Sequence, residues 1–130
     1  KAAVSCAGNH DNRIYNRWWS ETHHGVKEQV NDKGDTTFVY HISTNPELAS
    51  RLKGHLMLVH GDLDNNVHPG NTTRVANALI RANKRFDMLY LPTQRHGFGD
   101  MNEYFYWRLV DHFTDYLIDG RTKQVDIPQR

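Results

Sequence analysis

The sequence predicts an α/β fold, a mostly parallel sheet with helices on both faces in a three-layer α/β/α sandwich. Three observations carry that expectation. Leu56 to His60 (LMLVH) is a continuous apolar run of strand length, as a parallel strand covered on both faces requires. Phe86 to Leu91 (FDMLYL) is a second run of strand length, stopped by Pro92. Between and after them lie stretches with helical apolar spacing, giving strand, helix, strand, helix with short loops.

Taken in order, Ala2 to Ala7 (AAVSCA) reads as a short buried strand closed by Gly8-Asn9. Asp11 to Glu21 carries Tyr15, Trp18 and Trp19 at spacings of one helical face, with Asp11 as its cap; the two tryptophans are expected to pack into the core. Lys27 to Thr36 (KEQVNDKGDT) is polar and reads as an exposed loop, and Phe38 to Ile42 as a short extended segment. Asn45-Pro46 begins a turn, and Glu47 to Leu52 makes a short helix ended by Gly54. After the strand at Leu56, a polar loop runs from Gly61 to Gly70, and Thr72 to Asn83 shows Val75, Ala76, Leu79 and Ile80 as a helical stripe. Asp100 and Glu103 form a capping-box pattern before a last helix expected to bury Phe105, Leu109, Phe113, Tyr116 and Leu117. The end, Arg121 to Arg130, is a polar tail.

Composition excludes several function classes. Sixteen basic and fifteen acidic residues are interspersed for a net charge of +1, which offers no electrostatic footprint for nucleic acid or an anionic membrane. No apolar stretch is long enough to cross a bilayer. Cys6 is the only cysteine, so no disulfide forms within these residues. The chain starts at Lys1 rather than Met, as expected of a processed or excised piece, so the missing leader says nothing about address. The nine histidines are the outlier, and each must be judged by its neighbours.

In parallel α/β sheets the chemistry lies beyond the carboxyl ends of the strands, and two loops sit there. The first reads His60-Gly61-Asp62-Leu63-Asp64-Asn65-Asn66-Val67-His68-Pro69, an acidic loop that would equally suit an Asx-rich turn. The second reads Pro92-Thr93-Gln94-Arg95-His96-Gly97-Phe98-Gly99, where His96 alone reads as a surface histidine. Together they say more. Loops that follow neighbouring strands, about 5 Å apart, bring Asp64 and His96 within reach of each other. An aspartate that accepts the Nδ1 proton of a histidine fixes its tautomer and steadies the imidazolium formed in reaction.

With HGDLDNNVHP followed by a helix, a strand and RHGF, the chain resembles the C-terminal catalytic part of the prolyl oligopeptidase (S9) family of serine peptidases, and within it the dipeptidyl peptidase IV branch. NPELASRLKGHLMLVHG and YFYWRLVDHFTDYL fit the same pattern. The resemblance implies that residues 1–120 are the C-terminal portion of an α/β-hydrolase catalytic domain and residues 121–130 a tail. It implies Asp64 as triad acid and His96 as general base, in the chain order of that fold. Asn66 would bind the substrate carbonyl, Val67 would line an apolar wall, and Tyr15 matches a pocket tyrosine. The implied substrate is a peptide, cut after proline, and the implied address extracytoplasmic: periplasmic, membrane-attached or secreted. No cofactor or metal is implied.

The nucleophile of that pattern, a serine in G-x-S-x-G, is absent; Ser5, Ser20, Ser43 and Ser50 all lack its context. The expectation is therefore an upstream serine-bearing segment and a β-propeller domain in a longer parent, with these residues inactive alone. The severed first strand is expected to expose an apolar edge, covered by self-association into a homo-oligomer or by a partner fragment. Other readings stand beside this one. An esterase or acylaminoacyl peptidase uses the same triad. Zinc held by His23, His24, His60 or His68 with Asp62 or Asp64 lacks ligand spacing. A non-catalytic binding domain on a hydrolase scaffold is the third.

Overall fold

A computed structural model describes residues 1–39 and 42–118. The tail at residues 121–130 lies outside the described residues, as do Tyr40 and His41 of the proposed extended segment.

Three parallel strands build the sheet. β1 (Ala2–Cys6) pairs with β4 (His55–Gly61), and β4 with β5 (Asp87–Leu91), so β4 is central. Position explains composition: Met57 to Gly61 are all buried, whereas β1 leaves Ala3 and Cys6 exposed at the edge. The two-residue period of β4 sends side chains to opposite faces. Met57 and Val59 join Ala7, Leu91, Phe98 and Phe105 in one core, under α4 (Asn102–Leu117). Leu58 joins Ala49, Val75, Ala76 and Leu79 in the other, under α3 (Gly70–Arg81) and α2 (Asn45–Leu48). Helices on both faces of a parallel sheet make the chain an α/β protein, as its sequence predicts.

Local chemistry sets most boundaries. Thr44 and Glu47 form a reciprocal capping box at α2, with Pro46 in its first turn, and a 3₁₀ turn at Ala49–Arg51 continues it. The Asp11–Glu21 helix is broken in two. Asp11 caps only a 3₁₀ turn (Asn12–Ile14), and Asn16 caps a fresh helix, α1 (Arg17–His24), by accepting from the Trp19 N–H. The cause is that Asp11 is anchored elsewhere. Its backbone N–H and that of His10 both donate to the Asn71 side chain on α3, at 2.9 and 3.1 Å.

Four further expectations are corrected. The polar segment at Lys27 is a hairpin, β2 (Lys27–Val30) paired antiparallel with β3 (Thr36–Val39). Its turn is closed by the Asn31 side chain, which accepts from Lys33 N–H and Asp35 N–H, with Gly34 at a left-handed φ of 83°. Trp18 does not enter the core: it is 72% exposed, and Trp19 lies half-buried against Tyr15 and His23. Asp100 caps nothing, since a 3₁₀ turn (Gly99–Met101) precedes α4, whose first turn has no side-chain cap. The buried face of α4 also differs. Phe105 and His112 are buried, Leu109 and Phe113 are half-buried, and Tyr116 and Leu117 are exposed.

Candidate active site

The register of β4 and β5 aligns Gly61 with Leu91, so the loops after them leave the same edge side by side. They are stitched by backbone bonds: Asp62 N–H donates to Leu91 O at 3.2 Å and Leu63 N–H to Gln94 O at 3.0 Å. Gly61 permits that approach. A β-carbon there would stand 2.7 Å from the Arg95 carbonyl oxygen, a distance real side chains do not tolerate.

The second loop is held in an unusual backbone shape. Thr93 and Phe98 both take left-handed φ, at 60° and 59°. For a β-branched threonine this conformation is a true outlier, sustained only where surrounding structure over-determines it. Buried Gln94 and Phe98 do so, the latter edge-to-face on Phe105 with ring centroids 4.9 Å apart. His96 is thus presented at the sheet edge with 47% of its side chain exposed.

Asp64 lies beneath it, 3% exposed. Its Oδ1 accepts from the Asn66 and Val67 backbone N–H groups at 2.9 and 3.0 Å, so the Asx-turn reading of this loop is also correct. Its Oδ2 faces His96 Nδ1 at 2.9 Å. A carboxylate only accepts, so Nδ1 carries the proton and the exposed Nε2 keeps its lone pair. Burial pushes the Asp64 carboxyl up, but the bonds from His96, Asn66 and Val67 outweigh it and hold the group below the usual aspartate value. The result is an ionised, buried acid orienting a half-exposed base.

The other sequence-derived candidates fall around this pair. Tyr15 donates its hydroxyl to Asn66 Oδ1 at 3.1 Å, which joins two residues 51 positions apart. Val67 is buried, and its main chain serves the loop by donating to Asp64 and accepting from His60. Asp62 is exposed, and its backbone N–H donates to Leu91 O. Ser5 lies 3.4 Å from His10 Nε2, a pairing that resembles nucleophile and base. The Asn45 amide donates to His10 Nδ1 at 2.7 Å, so the neutral ring carries its proton on Nε2 and cannot take one from Ser5.

Sequence reasoning missed one member of the site. His60, fully buried at the end of β4, points its Nε2 at Asp64 Oδ2 (3.1 Å) and Val67 O (2.8 Å). The sequence offers it only as a ligand in the zinc reading. Among the described residues no three His, Cys, Asp or Glu side chains converge as a metal-holding group. The detectable signal was its place: the fourth residue before Asp64, on the strand face that meets α3.

Known proteins resemble the chain along most of its length. The family model for the prolyl oligopeptidase family, Peptidase S9, matches residues 1–120. Mouse dipeptidyl peptidase 8 is 30% identical over 83 residues, and bovine prolyl endopeptidase FAP 32% identical over 57. These alignments cover 64% and 44% of the chain. The solved structure of Porphyromonas gingivalis dipeptidyl peptidase 4 superposes on 90% of the chain with a TM-score of 0.74 and 30% identity. The chain spans only a small part of each relative: 9% of the mouse protein, 8% of the bovine one and 16% of the P. gingivalis chain.

Proposed function

The chain belongs to the prolyl oligopeptidase family, and from that premise we propose that it supplies the acid and base of a serine peptidase of dipeptidyl peptidase type. The observation that supports the reading most is the 2.9 Å hydrogen bond between Asp64 and His96, with His96 Nε2 left open. The nucleophile is a serine on the upstream part of a longer parent. These residues alone are inactive, because without it no acyl-enzyme forms. The parent acts on peptides with a free amino terminus, cut after proline, in an extracytoplasmic compartment. Its upstream sheet covers the exposed edge of β1.

The reaction then follows from the dyad. His96 Nε2 takes the serine proton as the serine oxygen bonds to the scissile carbonyl carbon. The imidazolium is steadied by ionised Asp64 and gives that proton to the departing amine as the C–N bond breaks. Water next donates a proton to the same nitrogen and attacks the acyl-enzyme. The released acid leaves, and the serine regains its proton. Asn66, held by Tyr15, donates an amide N–H to a substrate carbonyl, while the side chains of Tyr15 and Val67 border the pocket.

The test is hydrolysis of a Gly-Pro anilide by the intact parent, beside the matching ester. His96→Ala is expected to abolish turnover of both, and chelators to leave the wild type unchanged. Full activity in His96→Ala would end the reading. Hydrolysis of the ester alone would move it to the esterase alternative.

A further inference from the structure

We infer that His60 is a positioning residue of the dyad, a second histidine that clamps Asp64 from below and limits how strongly Asp64 attracts the His96 proton. This rests on the proposed peptidase reading and deepens it.

The geometry is specific. His60 Nε2 faces two atoms that only accept, the Asp64 carboxylate (3.1 Å) and the Val67 carbonyl (2.8 Å), so that nitrogen carries a proton. Its Nδ1 lies 2.7 Å from Thr72 Oγ1 on α3, and in the neutral ring it accepts the threonine hydroxyl proton. Both ring nitrogens and the hydroxyl are buried, so no water competes for them. The chain of bonds runs from Thr72 through His60 to Asp64 and on to His96.

Its consequence lies in the carboxylate. Asp64 has about four acceptor sites, and all four are used: two backbone N–H groups on Oδ1, with His60 and His96 together on Oδ2. The two histidines therefore compete for one oxygen. Donation from His60 draws negative charge away from the side that faces His96, which lowers the basicity His96 derives from its partner. It also pins the carboxylate plane, because the bifurcated bond to Val67 O ties the same ring to the loop that carries Asp64. Another titratable group that interacts with the ring is buried His10, on the β1 side. Its pKa is pushed down by burial first and then by His60.

A residue that merely filled space would not move the base. The experiment uses the intact parent with its serine, measuring kcat and KM on a Gly-Pro anilide across pH for His60→Leu, His60→Gln and Thr72→Val. Loss of the clamp should lower kcat of His60→Leu about tenfold to a hundredfold, the value of one charge-assisted hydrogen bond. KM should stay within about twofold, since the substrate is untouched. The acid limb of the kcat/KM profile should shift to higher pH, because Asp64 then holds the His96 proton more tightly. His60→Gln, whose amide can reach the same two acceptors, should recover part of kcat and most of the limb. Thr72→Val should shift the limb the same way by less, and it answers the question if His60→Leu fails to fold. An unmoved acid limb in the folded variants overturns the inference, as does a loss expressed in KM alone. If His96→Ala also retains activity, the peptidase reading itself has failed. If only the His60 and Thr72 variants behave as wild type, the reading stands and the clamp does not.

Discussion

Asp64→Asn probes the site at the atom where most of its bonds meet. The amide keeps one oxygen, which can still accept the Asn66 and Val67 N–H bonds that close the loop. The other position becomes an NH₂ donor facing His96 Nδ1 and His60 Nε2, where both rings now donate. His96 can relieve the conflict only by moving its proton to Nε2, the atom that must accept from the nucleophile. In a Ser-His-Asp triad a wrong tautomer costs about 10⁴ in kcat, or about 5 kcal/mol of transition-state stabilisation. The fold suffers less. The donor left against His60 costs about 1–3 kcal/mol, which a domain of about 5–15 kcal/mol survives. The assay pairs kcat of the intact parent on a Gly-Pro anilide with its urea-unfolding midpoint. A kcat within tenfold of wild type, in protein that unfolds normally, would refute the tautomer argument.

Two other perturbations test the loop packing and the acid side of stability. Gly61→Ala places a β-carbon against the Arg95 carbonyl and must push the His96 loop outward. Expected are a loss of about 1–3 kcal/mol in urea unfolding and a fall in kcat of up to about 10²-fold from misplacement of the base; unchanged kcat would show that the close approach is not needed. Asp11 is buried, and although burial pushes its carboxyl up, its bonds to Arg13 and Arg74 outweigh that and hold it below the usual value, as they do for Asp64 with its own partners. A folded value below the unfolded one gives stability that is present above about pH 4 and lost as pH falls through the folded value. The urea midpoint should drop below that pH, and Asp11→Asn should start lower and drop less; parallel acid limbs for the two proteins would contradict this.

The legible parts of this chain were those governed by burial. β4 announced itself because a strand covered on both faces must be apolar throughout, and its pairing with β5 then put Asp64 beside His96. The hairpin of β2 and β3 stayed hidden for the opposite reason. Apart from half-buried Val39 its strand residues are exposed, so no alternation of polar and apolar side chains marks them. The aromatic segment misled because spacing reports a shared face but not what that face meets; Asn16 re-caps the chain and leaves Trp18 in solvent. Helix α4 misled similarly, burying His112 where Tyr116 and Leu117 were expected. His60 stands four residues before Asp64, but that spacing does not tell that α3 brings Thr72 to its other nitrogen.

The claim on which everything else rests is that His96 serves as base to a serine outside these residues. A fluorophosphonate, applied to the intact parent and mapped by peptide mass spectrometry, reads it directly. Expected is one adduct, on a serine upstream of Lys1, that disappears in His96→Ala. An adduct on Ser5, or labelling that persists undiminished without the His96 imidazole, would contradict it.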